Sequence, residues 1–346
     1  MKLDLPFNLL PAELAPPLNT RFLERDFQGC EAILLLHLAL ECGLFELIGG
    51  AALTAGEAAA ALGGDLKKIA ALLDALAALT YLEKAGESYR LSPAAALFLR
   101  RRSKHHIGEL LQARFSRLQQ LQEAGRKLLE PAAHGEQGQR DDGAILRFTR
   151  HMAQSAVSSG SIGSAARQIA RDPAFKQARR MLDLGCSHGL YAAALCLLNR
   201  ELRAVLYDRP AVLPLTRRCV GRCGLGGRIE YRGGDFNSDP LGKGYDLVFA
   251  SNILYRTPEQ ILPLLKKVYR SLLPGGLLYL QHRYLDRGRI SPVPAVLYHS
   301  TRALRMPSFY VATLPEAVAG LQRAGFTVTA LHRSRRTGNT LLRART

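Results

Sequence analysis

Leu182-Asp-Leu-Gly-Cys-Ser-His-Gly189 is the stretch on which the fold turns. Arg180-Met-Leu-Asp-Leu184 is an apolar run of strand length, Gly185 to Gly189 reads as a tight turn, and Leu190 to Leu198 reads as an apolar helix. That order makes a cradle. Glycine lets the backbone approach a ligand with no Cβ in the way, and a helix N-terminus offers unpaired N–H groups to an anion. The glycines are spaced GxxxG, whereas a pyrophosphate-binding turn uses GxGxxG. Asp183, two residues before the first glycine, can meet an ammonium group or an ordered water. A ligand with a carboxylate and an ammonium at one end fits both features, and S-adenosylmethionine (SAM) has such an end.

The downstream pattern supplies the rest of that ligand's site. Strands are expected near 203–207, 228–231, 245–250, 276–282, 326–332 and 339–344, the last two joined as a hairpin across Thr337-Gly-Asn339. Alternation with helical segments predicts a mostly parallel α/β sheet covered on both faces, Rossmann-like in class. Asp208, in Leu206-Tyr-Asp-Arg209, follows the second strand, where a carboxylate accepts from ribose hydroxyls. Gly234-Asp-Phe236 follows the third, so Asp235 can accept from an adenine amino group while Phe236 packs on its face. Each piece alone is weak, but three at the carboxyl ends of three successive strands are specific. The expected cofactor set is Asp183, Gly185, Gly189, Asp208, Arg209, Asp235, Phe236 and Ser251.

With 346 residues, of which 47% are hydrophobic, the chain can bury more than one core. Helical apolar spacing runs over 29–48. Thr54 before Glu57 is a capping-box pattern for a helix over 54–63. Leu66, Ile69, Leu72, Leu73, Leu76 and Leu79 form the stripe of a third helix. Tyr81-Leu-Glu-Lys84 and Ser88-Tyr-Arg-Leu91 then flank Ala85-Gly-Glu87 as a hairpin. This is a winged-helix order. A DNA-reading third helix needs basic or amide side chains outward, yet this one is mostly alanine with only Lys67 and Lys68 basic, so a protein contact is expected. Residues 131–143 read as a loop and 144–171 as one helix. The expected division is a winged-helix-like dimerisation domain over 1–104, linking helices contributing to an acceptor pocket over 105–171, and a Rossmann-like SAM-binding domain over 172–346.

Composition excludes several classes. Six cysteines (Cys30, Cys42, Cys186, Cys196, Cys219, Cys223) include no CxxC pair, against a zinc site or a disulfide framework. No carboxylate pair suited to a magnesium-dependent catechol enzyme is evident, and no metal is expected. The longest apolar run, Ile33 to Leu40, is broken by His37 and is far short of the roughly 20 residues of a membrane span. The first residues do not read as a secretion signal, and a cytoplasmic location is the expectation. The formal charge of +18 would suit a polyanion, but its densest runs, Arg100-Arg-Arg102 and Arg333-Ser-Arg-Arg336, are short and typical of solvated faces. Ser251-Asn-Ile-Leu254 lacks the Asn/Asp-Pro-Pro-aromatic motif of adenine-amino methyltransferases, and no cysteine follows that strand for attack on cytosine. A nucleic-acid partner is therefore not expected.

With a winged-helix module first, the glycine turn midway, Gly234-Asp-Phe236, and Leu273-Pro-Gly-Gly276 before the fifth strand, residues 25–346 resemble the dimeric small-molecule O-methyltransferase family. The resemblance implies a homodimer, SAM as cofactor and a small-molecule methyl acceptor. Plant members carry a histidine general base in a pattern like Leu-His-Asp-Trp, and here Tyr255 occupies that position. A tyrosine of ordinary pKa near ~10 is a poor base at neutral pH. The motif is also similar to the bacteriochlorophyllide C-20 methyltransferases at Ile253-Leu-Tyr255 and at Tyr298-His-Ser300 with Met306 beyond. That likeness implies Tyr255 and His299 as the catalytic pair, with Met152, Met306 and Phe309 in segments that line the acceptor pocket. It points to methyl transfer to carbon, or oxygen, of a sizeable aromatic or tetrapyrrole-like acceptor. The alternatives are a phenolic or polyketide O-methyltransferase, a nucleic-acid methyltransferase, and a SAM-binding dimer without catalysis.

Overall fold

The structure is a computed structural model that describes residues 21–126, 142–306, 308–334 and 339–346. The chain divides into two compact units, one ending at Phe115 and the other starting at Ser116.

The first unit runs α1 (Arg21–Glu41), α2 (Leu44–Ile48), β1 (Leu53–Thr54), α3 (Ala55–Leu62), α4 (Leu66–Ala78), β2 (Leu82–Ala85), β3 (Ser88–Leu91) and α5 (Pro93–Phe98), then enters α6 (Gly108–Arg126). Its strands form an antiparallel sheet in the order β1-β3-β2. Thr54 caps α3 as expected: its Oγ1 accepts from Glu57 N, and the Glu57 carboxylate accepts from Thr54 N. The stripe on α4 buries Leu73 and Leu76 against Leu44, Phe45, Ile48, Leu82 and Tyr89. The single helix expected over 29–48 is two helices, because the chain enters left-handed backbone at Gly43. Along α1, Leu23, Phe27, Leu34 and Leu38 recur on one face and are 45%, 70%, 52% and 53% exposed.

The second unit continues with α7 (Asp142–Ser158), α8 (Ser161–Ile169), α9 (Pro173–Gln177), β4 (Arg180–Leu184), α10 (Leu190–Leu198), β5 (Arg203–Asp208), α11 (Leu213–Val220), β6 (Ile229–Gly233) and β7 (Tyr245–Ser251). It ends with α12 (Pro258–Ser271), β8 (Leu272–His282), α13 (Val293–Ala303), α14 (Leu314–Arg323), β9 (Thr327–Arg333) and β10 (Thr340–Arg345). The helix expected over 144–171 is broken at Gly160, also in left-handed backbone. Residues 142 and 143, expected in the preceding loop, already belong to α7, and the rest of that loop lies outside the described residues. The same is true of Thr337 and Gly338 in the expected hairpin turn, although β9 and β10 do pair antiparallel. Leu273-Pro-Gly-Gly276, expected before the fifth strand, is counted within β8, whose pairing with β7 is irregular there.

All seven strands form one sheet in the order β6-β5-β4-β7-β8-β10-β9, parallel from β6 to β8, with β10 antiparallel between β8 and β9. The central strands β4, β5, β7 and the second half of β8 are covered on both faces and are correspondingly apolar, whereas β6 and β9 at the edges are not. Successive residues of β4 serve opposite faces: Met181 packs with Ala192, Leu195 and Phe249, while Leu182 packs with Val248, Leu264 and Leu278. The chain lays β4, β5 and β6 outward in one direction, then crosses to place β7 on the other side of β4. The carboxyl ends of β4 and β7 therefore flank a topological switch point, where open α/β sheets bind ligands. Among the described residues no helix is long and apolar enough to cross a membrane.

Candidate cofactor and acceptor sites

The turn after β4 holds its shape through two glycines. Gly185 has φ +67°, and a Cβ there would stand 2.7 Å from Ile253 Cγ2 and 3.6 Å from the Phe236 ring. Gly189 has φ +69°, and a Cβ would meet Leu206, Val220 and Thr216 side chains at 2.6 to 2.9 Å. The first glycine thus keeps a cleft open between the β4, β6 and β7 loops, and the second lets α10 seat on β5 and α11. Asp208, at the end of β5, ties the turn down: its carboxylate accepts from Ser187 N at 2.7 Å and from Arg209 N at 2.8 Å. Burial raises the Asp208 pKa, and those two amides oppose the rise.

Asp183 is buried at the base of the turn with Oδ2 unpartnered. Burial first, and the Asp208 charge second, push its pKa up to about 7, while the Ala192 amide lowers it. An orphaned buried carboxylate oxygen beside a glycine cleft is what a cationic ammonium would satisfy, so SAM fits the residues present. The N–H groups expected to be free at the start of α10 are, however, partly taken. Leu190 N donates to His188 Nδ1 at 3.1 Å, and Gly189 N donates to Cys186 O. His188 is buried and its pKa is lowered to about 4, so it is neutral and its ring nitrogen serves as a local helix cap. The side chains of Asp183 and Asp208 therefore offer more to a ligand than the helix end does.

At the end of β6, Asp235 Oδ1 accepts from Asn237 N and Asn237 Nδ2, a local turn that leaves the residue exposed, while Phe236 is half-buried beside Gly185. The Arg209 side chain is exposed. Ser251 Oγ, at the end of β7, accepts from Asn252 Nδ2 at 3.1 Å. Asn252 has φ +55°, a left-handed conformation that asparagine tolerates better than most residues, and its Oδ1 also accepts from Tyr255 OH at 3.0 Å. Asn252 is a candidate site residue that sequence reasoning missed. Its signal was the position immediately after a switch-point strand.

One strand further along, aromatic rings gather around Tyr255. Its ring stacks on Phe309 at 4.8 Å and lies 4.4 Å from His282 and 5.6 Å from Tyr298. Burial, the neighbouring Tyr298 and its hydrogen bond hold the Tyr255 phenol well above the usual tyrosine range, so it is a donor and not a base. His282, another residue not anticipated, ends β8 fully buried. Its Nδ1 contacts Arg283 O at 2.8 Å, Nε2 has no partner, and burial lowers its pKa to about 4. His299 lies on α13 with its ring 6.5 Å from Phe309, and its buried Nδ1 has no partner. Burial, then the Arg289 charge, lowers its pKa. Tyr255 and His299 thus both neighbour the Phe309 ring, at 4.8 and 6.5 Å between centroids. Met306 is half-buried, and its carbonyl accepts from Phe309 N at 2.8 Å; Met152, on α7, is also half-buried.

The sheet order, the glycine turn and acidic residues after successive parallel strands define a SAM-dependent methyltransferase. The O-methyltransferase domain family matches residues 122–327, and the O-methyltransferase dimerisation domain matches residues 27–101. The chain belongs to this O-methyltransferase family. The N,N-dimethyltransferase OxyT of Streptomyces rimosus is 28% identical over 323 residues, covering 91% of this chain and 93% of that one. The tetracenomycin polyketide synthesis 8-O-methyl transferase TcmO of Streptomyces glaucescens is 29% identical over 310 residues, covering 87% and 88%. A solved O-methyltransferase family protein from Burkholderia thailandensis superposes with a TM-score of 0.78 at 22% identity, over 94% of this chain and 98% of that one.

The raised Asp183 pKa has a measurable consequence. Because the folded state holds this proton up to about 7 against an ordinary 3.8, it binds more protons than the unfolded chain between those values, and ligand-free stability falls as pH rises through them. Asp183→Asn is expected to flatten the dependence of Tm on pH between 5 and 8 while weakening SAM binding, both measurable by thermal melts with and without ligand. An unaltered pH slope would contradict the assignment.

Proposed function

We propose that the protein transfers the SAM methyl group to a carbon or oxygen of a sizeable planar aromatic or tetrapyrrole-like molecule. The observation that carries this is the aromatic box of Tyr255, His282, Tyr298 and Phe309, one strand from the cofactor turn. Offset and tilted rings suit a flat π-system, which gains both buried area and ring contacts there. The likeness to TcmO, whose name specifies an O-methyl transferase of polyketide synthesis, supports a sizeable small-molecule acceptor.

Asp183 would hold the ammonium of SAM, Asp208 its ribose, and Asp235 with Phe236 its adenine, while Gly185 and Gly189 shape the turn. Arg209 and Ser251 complete the proposed set. SAM supplies an already activated sulfonium methyl, so the protein's task is to align the acceptor and take up any proton released. Tyr255 orients the acceptor through its ring and is itself held by Asn252. His299, neutral at neutral pH with an unpartnered Nδ1, accepts the proton. Met152, Met306 and Phe309 line the acceptor side. Release of S-adenosylhomocysteine (SAH) should follow addition of hydroxylated tricyclic or tetracyclic aromatics. Equal kcat/KM for small aliphatic hydroxy acids would overturn the proposal.

We also propose that the protein is a homodimer through α1. Four exposed apolar side chains on one helical face, within a match to a dimerisation domain, make a surface that water disfavours. Phe27→Asp combined with Leu34→Asp is expected to yield a monomer by light scattering with SAM binding retained. A dimer of unchanged affinity would refute this placement.

A further inference from the structure

Two guanidinium groups stand at the aromatic box with no carboxylate paired to them among the described residues. Arg302, on α13, lies 3.5 Å from the centre of the Tyr298 ring and 5.9 Å from that of Phe309. Arg283, immediately after β8, lies 4.2 Å from the Tyr298 ring centre. Both residues are partly buried. A guanidinium carries five N–H donors, and stacking on a ring uses none of them. Arg302 spends one on a long 3.4 Å contact with Tyr298 O, and Arg283 Nε is buried without an acceptor.

The neighbouring acidic groups are engaged elsewhere. Asp286 accepts from Ile290 N, Ser291 N and Ser291 Oγ. Glu316 accepts from Thr313 N and Tyr310 OH and pairs with Arg289 at 3.7 Å. The charges bearing on Arg302 from other basic groups, Arg283 and Arg305, repel it. Partly desolvated cations with unused donors and no counter-charge are costly, and a bound anion relieves that cost through charge-assisted hydrogen bonds.

We propose that Arg283 and Arg302 form a clamp selecting acceptors that carry a carboxylate on the aromatic skeleton. This rests on the aromatic acceptor proposed above and adds which aromatics are chosen. The rings supply area common to all flat acceptors, and the two arginines supply the discrimination, because an uncharged analogue leaves both cations unanswered.

The test uses the full-length protein saturated with SAH and three probes: anthracene-2-carboxylate, anthracene-2-carboxamide and cyclohexanecarboxylate. Titration calorimetry is expected to give the aromatic acid at least about tenfold tighter binding than its amide. Arg283→Gln and Arg302→Gln, made separately and checked for unchanged SAH affinity and Tm, should each erode that preference, and Arg302→Lys should retain part of it. Equal binding of acid and amide by the unsubstituted protein, or a preference surviving both substitutions, overturns the clamp and leaves the aromatic acceptor standing. Cyclohexanecarboxylate binding as tightly as the aromatic acid would instead overturn the aromatic acceptor and leave the clamp.

Discussion

Asp208→Ala is expected to weaken SAM and SAH binding by about a hundredfold or more, which corresponds to roughly 2.7 kcal/mol. Two losses add. The carboxylate accepts from Ser187 N and Arg209 N, pinning the glycine turn, and hydrogen bonds to a charged acceptor are each worth about 1.5–3 kcal/mol. In the cofactor site proposed above, its remaining lone pairs would accept from the ribose hydroxyls. Asp208→Asn keeps one carbonyl acceptor and should recover part of the affinity. Titration calorimetry measures both variants, with thermal melts showing that the fold persists. An affinity unchanged by Asp208→Ala would remove this residue from the cofactor site.

His299→Ala should lower kcat by about 10²- to 10⁴-fold, the usual contribution of a positioned base, with SAH affinity unchanged. The pH profile separates this from a packing role. Burial and Arg289 lower the His299 pKa below its ordinary value of 6.5, so the proton-accepting neutral form predominates at neutral pH. The rate should therefore fall only as pH drops through that lowered value, giving an acid limb below the ordinary histidine range. His299→Ala should lose the limb as well as the rate. If kcat and its acid limb both survive the substitution, proton transfer belongs elsewhere, and the unpartnered Nε2 of His282 would be the next group to vary.

Much of the fold was legible because local rules and tertiary packing agree here. Each strand of the large sheet falls within a few residues of its expected range, and the central strands do so because a sheet covered on both faces demands apolar runs. The Thr54 and Glu57 cap was legible because it is a contact between neighbours in sequence. The two helix breaks were not. Gly43 and Gly160 interrupt apolar patterns that continue across them, and a glycine inside a helical pattern does not announce whether its φ is positive. The strand-end residues Asp183, Asp208 and Phe236 could be proposed for the cofactor from sequence because each belongs to a short motif at the end of one of three successive strands. The aromatic cluster around Tyr255 draws its members from the segment after β7, the end of β8, α13 and the segment before α14, where no short motif records their convergence.

What the sequence determined by itself was the order of the strands, the glycine turn and the acidic residues at the carboxyl ends of β4, β5 and β6, all consequences of spacing along the chain. Tertiary structure alone decided that His188 caps α10 while neutral, that Tyr255 donates to Asn252 with burial raising its pKa further, and that Arg283 and Arg302 both lie against the Tyr298 ring. The physical reason is common to all three. Protonation state and hydrogen-bond role depend on burial and on neighbours supplied by the packed sheet and helices, and neither is carried by residue type or by spacing.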